Sequence, residues 1–162
     1  MRQRLLLVSI VPDEAEGTLG HVRRGAAPRV PDYELQDGRS HRIWRDWDPQ
    51  LVDPWQRRRH LEPLIMELFG GVIAERRVSR RRIWIGASND LDRAVDLLGY
   101  LATSERTAQK LSDYLWAATE DLVAREWAAI VALAEELLAR RSLSGRDVAA
   151  FLRSRVDSAT AR

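Results

Sequence analysis

The longest hydrophobic pattern in the chain lies between residues 61 and 73. Apolar side chains recur there at the i, i+3, i+4, i+7 spacing of one helix face, which predicts an amphipathic helix from about Pro54 to Val78. The stripe consists of Leu61, Leu64, Ile65, Leu68, Phe69, Val72 and Ile73. Gly70 and Gly71 interrupt it. Because each glycine costs about 1 kcal/mol relative to alanine, we expect another backbone to pack very close to this pair.

Three further segments carry helical patterns. A second helix is predicted to open at the sequence GASND, Gly86 to Asp90, and a third near Ser104. A fourth is either separate from the third or continuous with it. The predicted core positions are Leu91, Ala94, Val95, Leu98 and Leu101, then Ala108, Leu111, Leu115, Ala118 and Leu122, then Trp127, Ile130, Val131, Ala134, Leu137 and Leu138. A short last helix follows LSGRDV, where Ser144 and Asp147 resemble a capping box.

The N-terminal pattern differs from the rest. A buried strand is predicted from about Leu5 to Val11, and residues 18–22 can return as the second strand of a hairpin. Residues 23–53, rich in proline and containing Trp44 and Trp47, are interpreted as an extended loop. The tryptophans either anchor this loop or form a binding platform. The predicted fold is mainly α, a bundle of four to five helices with a small N-terminal β-hairpin, in one domain over 1–156 with a frayed tail at 157–162.

Composition limits the class of protein. With 162 residues, 45% hydrophobic and 31% charged, the chain is typical of a globular domain. It has no cysteine, which excludes disulfides and thiolate metal sites, and we expect a cytoplasmic protein. No apolar run approaches the roughly 18 residues that span a bilayer, so no membrane is expected as a partner.

Several motifs of common chemistry are absent from the sequence. It has no phosphate-binding loop, dinucleotide fingerprint or nucleophile elbow, so no nucleotide is expected as a partner. The histidines His21, His41 and His60 lie far apart and form no His-Glu-x-x-His pair. The arginine-rich stretch Arg76 to Arg82 is either a phosphate-binding patch or a solvated basic loop. The net charge of only +2 favours the loop, and nucleic acid is not the expected partner.

The sequence GASND allows two interpretations. Ser88 or Asn89 can cap the second helix, with Asp90 and Asp92 in its first turn, where the helix dipole favours acidic groups by about 0.3–1 kcal/mol. Alternatively, Asp90 is one ligand of a metal site. Local physical chemistry favours the cap.

Longer stretches of the sequence bear on this choice. LFGGVIAE (residues 68–75) followed by GASNDLDRA (residues 86–94) resembles the peptidase domain of the FtsH family of ATP-dependent zinc proteases. VSIVP and GTLGHV, between residues 8 and 22, are similar to a hairpin of that family, and LSGRDV (residues 143–148) to a Leu-Ser-Gly-Glu-Glu motif. The matches occur in the same order as in the family and cover most of the chain except residues 23–55. The resemblance implies an FtsH-peptidase-like fold and a role in proteolysis.

The resemblance also implies a role for Asp90, which matches the third zinc ligand of the family. The other two ligands are the histidines of a His-Glu-x-x-His helix, whose glutamate is the general base. That helix should precede the first strand, and this sequence starts at the strand. We therefore assign no catalytic residue, and expect zinc in an intact homologue but not on this chain alone. The strand around Leu19 and Gly20 matches the edge beside which family substrates lie.

Three explanations for the missing motif stay open: a helix encoded upstream of Met1, a descendant that lost its catalytic helix, or a likeness caused by helical packing alone. The first two predict an exposed apolar groove and self-association. The corresponding functions are a zinc metallopeptidase-like domain that is inactive as given, or a non-catalytic module that binds a peptide or protein. A nucleic-acid binder that uses Arg76 to Arg82 is a further alternative.

Overall fold

The computed structural model describes residues 5–11, 21–24, 32–36, 39–43, 50, 52–79 and 84–160. The described residues form five short strands and four helices. These are β1 (Leu5–Ser9), β2 (His21–Arg24), β3 (Asp32–Gln36), β4 (Arg39–Ile43), α1 (Pro54–Val78), α2 (Trp84–Leu101), α3 (Glu105–Arg140), β5 (Ser142–Ser144) and α4 (Gly145–Thr160). The predicted fold class, mainly α with a small N-terminal antiparallel hairpin, is confirmed. Within these ranges, no helix has a stretch long and apolar enough to cross a bilayer.

The chain forms two compact units, and the single domain over residues 1–156 stays a prediction. We call Asp48–Glu126 the helical unit, and Met1–Trp47 together with Trp127–Arg162 the β unit. The 36-residue helix α3 contributes residues to both, so the predicted third and fourth helices are one continuous helix. A run of 36 residues without an internal glycine or proline explains this continuity.

In the helical unit, α1 and α2 run antiparallel. Asp53 caps α1, since its Oδ1 accepts hydrogen bonds from the backbone N–H groups of Trp55 at 2.9 Å and Gln56 at 3.0 Å. Near this end of α1, Arg57 donates to the backbone oxygen of Tyr100, in the last turn of α2, at 3.2 Å. The second guanidinium nitrogen of Arg57 donates to the Val52 oxygen at 3.1 Å. A cation therefore lies at the negative end of the α2 dipole.

The glycine pair of α1 faces two different neighbours. A Cβ at Gly70 would lie 3.8 Å from Cγ2 of Thr119 in α3, and a Cβ at Gly71 would lie 3.8 Å from Oδ2 of Asp90 in α2. Both neighbours are side chains at ordinary van der Waals distance. The predicted close approach of another backbone is therefore wrong. Adjacent helical residues project about 100° apart, which is why neighbouring glycines meet different helices.

The core of the helical unit matches the predicted stripe in α1 and is rotated in the other two helices. In α1 the buried residues are Leu61, Ile65, Phe69, Val72 and Ile73. In α2 they are Ala94, Leu97 and Leu98, and in α3 they are Leu111, Leu115, Thr119 and Val123. Val95 is 65% exposed and Leu122 is 38% exposed, although both were predicted core positions. Thr119 is accommodated because its hydroxyl donates to the Leu115 oxygen at 2.6 Å.

The β unit contains a three-stranded antiparallel sheet in the order β2-β1-β5. Ser9 lies opposite Ser142, and their hydroxyl oxygens are hydrogen-bonded at 2.9 Å. Arg141 connects α3 to β5 in the left-handed conformation, with φ 63°. Its backbone oxygen accepts a hydrogen bond from the Ile10 N–H at 3.0 Å. The hydrogen bonding between β1 and β5 therefore continues one residue beyond each strand, from Ser9 and Ser142 to Ile10 and Arg141.

The capping box at the start of α4 is present. The Ser144 hydroxyl donates to Asp147 Oδ2 at 2.7 Å, and the Asp147 N–H donates back to the Ser144 hydroxyl at 3.2 Å. The Ser144 N–H also donates to Asp147 Oδ2, at 3.2 Å. Aspartate therefore replaces the usual Glu or Gln of the motif, as the sequence predicted.

Two further predicted features differ from the structure. Residues 23–53 are not an extended loop throughout, because β3 and β4 pair as an antiparallel hairpin. The register sets Gln36 opposite Arg39, and the two residues between them in the sequence, Asp37 and Gly38, are the pair that most favours a two-residue hairpin turn. The other difference concerns the tail, since α4 continues to Thr160, past the start of the predicted frayed segment at residue 157.

Arg57 links the start of α1 to the last turn of α2 through its hydrogen bonds, and we expect it to stabilise the packing of the two helices. We expect Arg57→Gln to lower the free energy of unfolding by about 1–3 kcal/mol, since two carbonyl groups lose a charged donor. Arg58→Gln is the matched control, because it removes only an exposed pair with Glu62 at 2.9 Å, worth about 0.3–0.5 kcal/mol. Urea unfolding followed by circular dichroism measures both changes, and equal losses would contradict a special role for Arg57.

Candidate metal-ligand position at Asp90

Asp90 lies inside a helix and does not cap one. Helix α2 begins at Trp84, so Ser88, Asn89 and Asp90 occupy its second turn, and its first turn contains no acidic residue. The capping interpretation of GASND is therefore wrong. The apolar residues before this sequence, Trp84 and Ile85, extend the helix toward its N-terminus. The position of Asp90 needs an explanation other than helix capping.

The side chain of Asp90 is partly buried and faces α1. Its Oδ2 lies 3.8 Å from the position of a Gly71 Cβ, an ordinary van der Waals distance. Removal from water raises the pKa of Asp90 above its ordinary value. The Arg93 guanidinium acts in the opposite direction, and the Glu67 carboxylate raises the pKa further. The two stretches that resemble the FtsH peptidase, LFGGVIAE and GASNDLDRA, thus meet at Gly71 and Asp90.

Glu67 is a second acidic residue near Asp90 that was not predicted, although its spacing from Gly71 indicates it. Glu67 precedes Gly71 by four residues, and residues at this spacing share one face of a helix. Once Gly71 is known to face Asp90, Glu67 is expected near the same carboxylate. The two acidic groups come from different helices, and the Glu67 carboxylate disfavours ionisation of Asp90.

The donor groups around Asp90 do not amount to a zinc site. A catalytic zinc requires three protein ligands, usually including histidines, and one open position. Among the residues that the structure describes, no three His, Asp or Glu side chains come together as a metal-binding group. Glu67 and Asp90 provide carboxylates, and Arg93 provides a cation. These residues do not fit zinc by themselves, and no catalytic step can be assigned to them.

His60, whose side chain the structure describes, does not supplement the site. His60 lies in α1 eleven positions before Gly71, about 16 Å along the helix axis at 1.5 Å per residue. Its Nδ1 donates to the Gln56 backbone oxygen at 2.7 Å, which is a bond within its own helix. His21 and His41 belong to β2 and β4, and the positions of their side chains are outside the described residues. Leu19 and Gly20 also fall outside.

The arginine-rich stretch begins within α1 and not in a loop. Arg76 and Arg77 occupy the last turn of α1, which ends at Val78 as predicted. The Arg76 guanidinium lies over the Trp116 ring, 5.0 Å from its centroid, and this ring contacts Phe69 edge-on at 5.0 Å. Arg76 therefore packs on an aromatic side chain of α3. Arg80 to Arg82, like Trp44 and Trp47, are outside the described residues.

Replacing Asp90 by asparagine distinguishes an acid in the first turn of a helix from a partly buried carboxylate. An acid in the first turn would lose about 0.3–1 kcal/mol of dipole stabilisation when neutralised. The structure predicts instead that Asp90→Asn leaves stability unchanged or raises it by up to about 1 kcal/mol at pH 7, because the folded state no longer holds a desolvated charge. Asp92→Asn, at an exposed position of the same helix, is the control.

The pH dependence of this difference has a defined sign. The pKa of Asp90 is raised in the folded state. The ionised carboxylate therefore lowers the stability of the fold at pH values above the folded pKa, and this loss disappears below the unfolded pKa. The stability gain of Asp90→Asn should therefore shrink as the pH falls from 7 toward 3. Urea unfolding at both pH values measures it, and a gain that grows on acidification would contradict the assignment.

Compared with known proteins, the chain matches no family model and no curated protein, so the likeness to the FtsH peptidase domain rests on the motifs quoted above.

Proposed function

We propose that this chain is the zinc metallopeptidase-like scaffold of an FtsH-type peptidase, in which Asp90 stands at the position of the third metal ligand. One observation carries the proposal. The two most specific motif stretches, which are separated by ten residues in the sequence, come together in space, with Asp90 against Gly71. The partial burial of Asp90 within a helix supports a ligand role over a capping role.

This polypeptide is not expected to cleave peptides by itself. One ligand of three does not hold a catalytic zinc, and the sequence contains no His-Glu-x-x-His motif to provide the general base. When bound, zinc would supply Lewis-acid activation of water and of the peptide carbonyl. The contribution of this chain is the scaffold and the carboxylate of Asp90. Zinc-dependent proteolysis is therefore expected only when a His-Glu-x-x-His helix is supplied.

Supplying that helix tests the proposal. A helix containing His-Glu-x-x-His is joined ahead of residue 1, and zinc content and casein cleavage are measured for the extended and the original chain. We expect about one zinc per extended chain and much less on the original chain. Asp90→Asn should weaken zinc binding at least tenfold in the extended chain, whereas Asp92→Asn should not. Equal zinc affinity with and without Asp90 would refute the ligand role.

A second candidate, a non-catalytic module that binds a peptide or protein, is favoured by a different observation. Large apolar side chains are accessible on β2 and in the two residues after β1: Val22 is 50% exposed, Val11 43% and Ile10 38%. Val8 and Val22 are paired directly across β1 and β2, so these two side chains lie on the same face of the sheet. Apolar patches of this kind mark interaction surfaces. Val22→Asp should reduce self-association in analytical ultracentrifugation, and an unchanged sedimentation profile would count against the patch.

A further inference from the structure

A cleft lies between the last turns of α3 and the first half of α4, within the β unit. Its volume is about 390 Å³, which is within the range of roughly 300–1,000 Å³ typical of small-molecule sites. The apolar part of the lining comes from Leu143, Ala150 and Phe151. Leu143 is only 1% exposed, so the bottom of the cleft is a fixed part of the core.

Charged groups surround this apolar surface. Arg140 lies between two carboxylates, with its Nη1 3.3 Å from Glu136 Oε1 and its Nη2 3.5 Å from Asp147 Oδ2. The hydroxyl of Ser144 holds the pKa of Asp147 below its ordinary value, and the Ser144 backbone N–H and nearby arginines act in the same direction. Two carboxylates against one guanidinium give the lining a formal charge of −1. Arg146, although near Asp147, is not part of the lining.

This arrangement favours one charge type of ligand. The guanidinium of Arg140 already faces both carboxylates, and their negative charge disfavours the approach of an added anion. A cation can instead approach the outer oxygens of Glu136 and Asp147, each of which has further lone pairs. An apolar group on the same ligand would cover Phe151 and Ala150.

We propose that this cleft binds a monovalent organic cation, an ammonium or guanidinium group attached to an apolar body. The cation pairs with the carboxylates of Glu136 and Asp147, and the apolar body lies on the Leu143, Ala150 and Phe151 side. The site is separate from Asp90, and its existence does not depend on the function proposed above.

The charge preference is measured with three probes of nearly equal size. Amide chemical shifts of the ¹⁵N-labelled chain are followed during titration with 2-phenylethylammonium, 2-phenylethanol and 3-phenylpropionate. We expect the ammonium probe to bind most tightly and the carboxylate probe most weakly, with the largest shifts at Leu143, Ala150 and Phe151. Equal affinities, tightest binding of 3-phenylpropionate, or shifts confined to other residues would each overturn the proposal.

Matched variants test the residues. Glu136→Gln should weaken binding of the ammonium probe about fivefold, the factor expected for a partly exposed ion pair. Glu135→Gln makes the same charge change on the neighbouring residue of α3, which does not line the cleft, and should leave affinity unchanged. Ala150→Phe fills the cleft and should abolish the shifts without deleting any contact. Equal weakening in Glu135→Gln and Glu136→Gln, or binding that persists in a folded Ala150→Phe chain, would refute the site.

Discussion

Gly145→Ala is expected to lower the free energy of unfolding of the β unit by about 3 kcal/mol or more. A Cβ at this position would overlap the carbonyl group of Leu5 and would lie 3.1 Å from the Leu6 nitrogen. These atoms all belong to the backbone of β1, so no side-chain rotation relieves the overlap. Strand β1 must move away from the start of α4, and the pairs Leu7–Ser144 and Val8–Leu143 must adjust with it.

Hydrogen exchange and thermal unfolding measure this effect. Amide protons of β1 should exchange much faster in Gly145→Ala, and the unfolding transition of the β unit should shift to lower temperature. Gly99→Ala is the control, because nothing lies within 4 Å of its Cβ position; it should be neutral or stabilising by up to about 1 kcal/mol. A Gly145→Ala chain with protected β1 amides would show that the strand can move at little cost.

The close approach at Gly145 gives a physical reason for one motif of the resemblance. The glycine of LSGRDV allows the start of α4 to cross the backbone of β1, while Ser144 and Asp147 on either side form the capping box. The capping box is visible in the sequence from its spacing alone. The requirement for glycine is not visible there, because a contact between residues 5 and 145 has no signature in the local sequence.

The local sequence predicted α1 well because the signals for its start, its buried face and its end all agree. Asp53 and Pro54 mark its start, the apolar stripe keeps one phase, and Val78 ends it. The same rules failed for residues 84–90, where side chains typical of a helix cap lie within the second turn of α2. A Ser-Asn-Asp sequence caps a helix only where the preceding residues are not helical, and that is decided by the chain before it. The hairpin β3–β4 was overlooked, although Asp37-Gly38 was visible in the sequence.

At the candidate site, too, the local sequence predicts some features, while contacts between residues distant in the sequence decide the others. The choice of Asp90 came from motif likeness, and the structure adds that it faces Gly71 and lies near Glu67. Neither relation follows from periodicity, since α1 and α2 could have packed at other rotations. The cleft beside Arg140 was also not predicted. The pair Glu136–Arg140 reads as an ordinary i,i+4 surface pair, and only the position of Asp147 in α4 makes the two residues part of a lining.

The buried face of α3 is rotated relative to the apolar stripe predicted from the sequence. This rotation leads to the second prediction of a large loss of stability. Leu115→Ala should lower the free energy of unfolding of the helical unit by about 2–5 kcal/mol, the cost of a large-to-small change in a packed core. Leu115 is 2% exposed. It lies one turn before the buried Thr119, whose hydroxyl donates to the Leu115 backbone oxygen. Removing its side chain leaves a cavity in this part of the core that the rigid helix cannot close.

Leu122→Ala is the matched comparison, because it makes the same chemical change in the same helix. The hydrophobic pattern alone places Leu115 and Leu122 on one stripe and predicts similar losses. In the structure Leu122 is 38% exposed and its neighbour Val123 is 6% exposed, so the loss for Leu122→Ala should stay within about 1 kcal/mol. Urea unfolding of the two variants gives both values directly. Losses of equal size would mean that α3 is rotated toward the phase expected from the sequence, with Leu122 in the core.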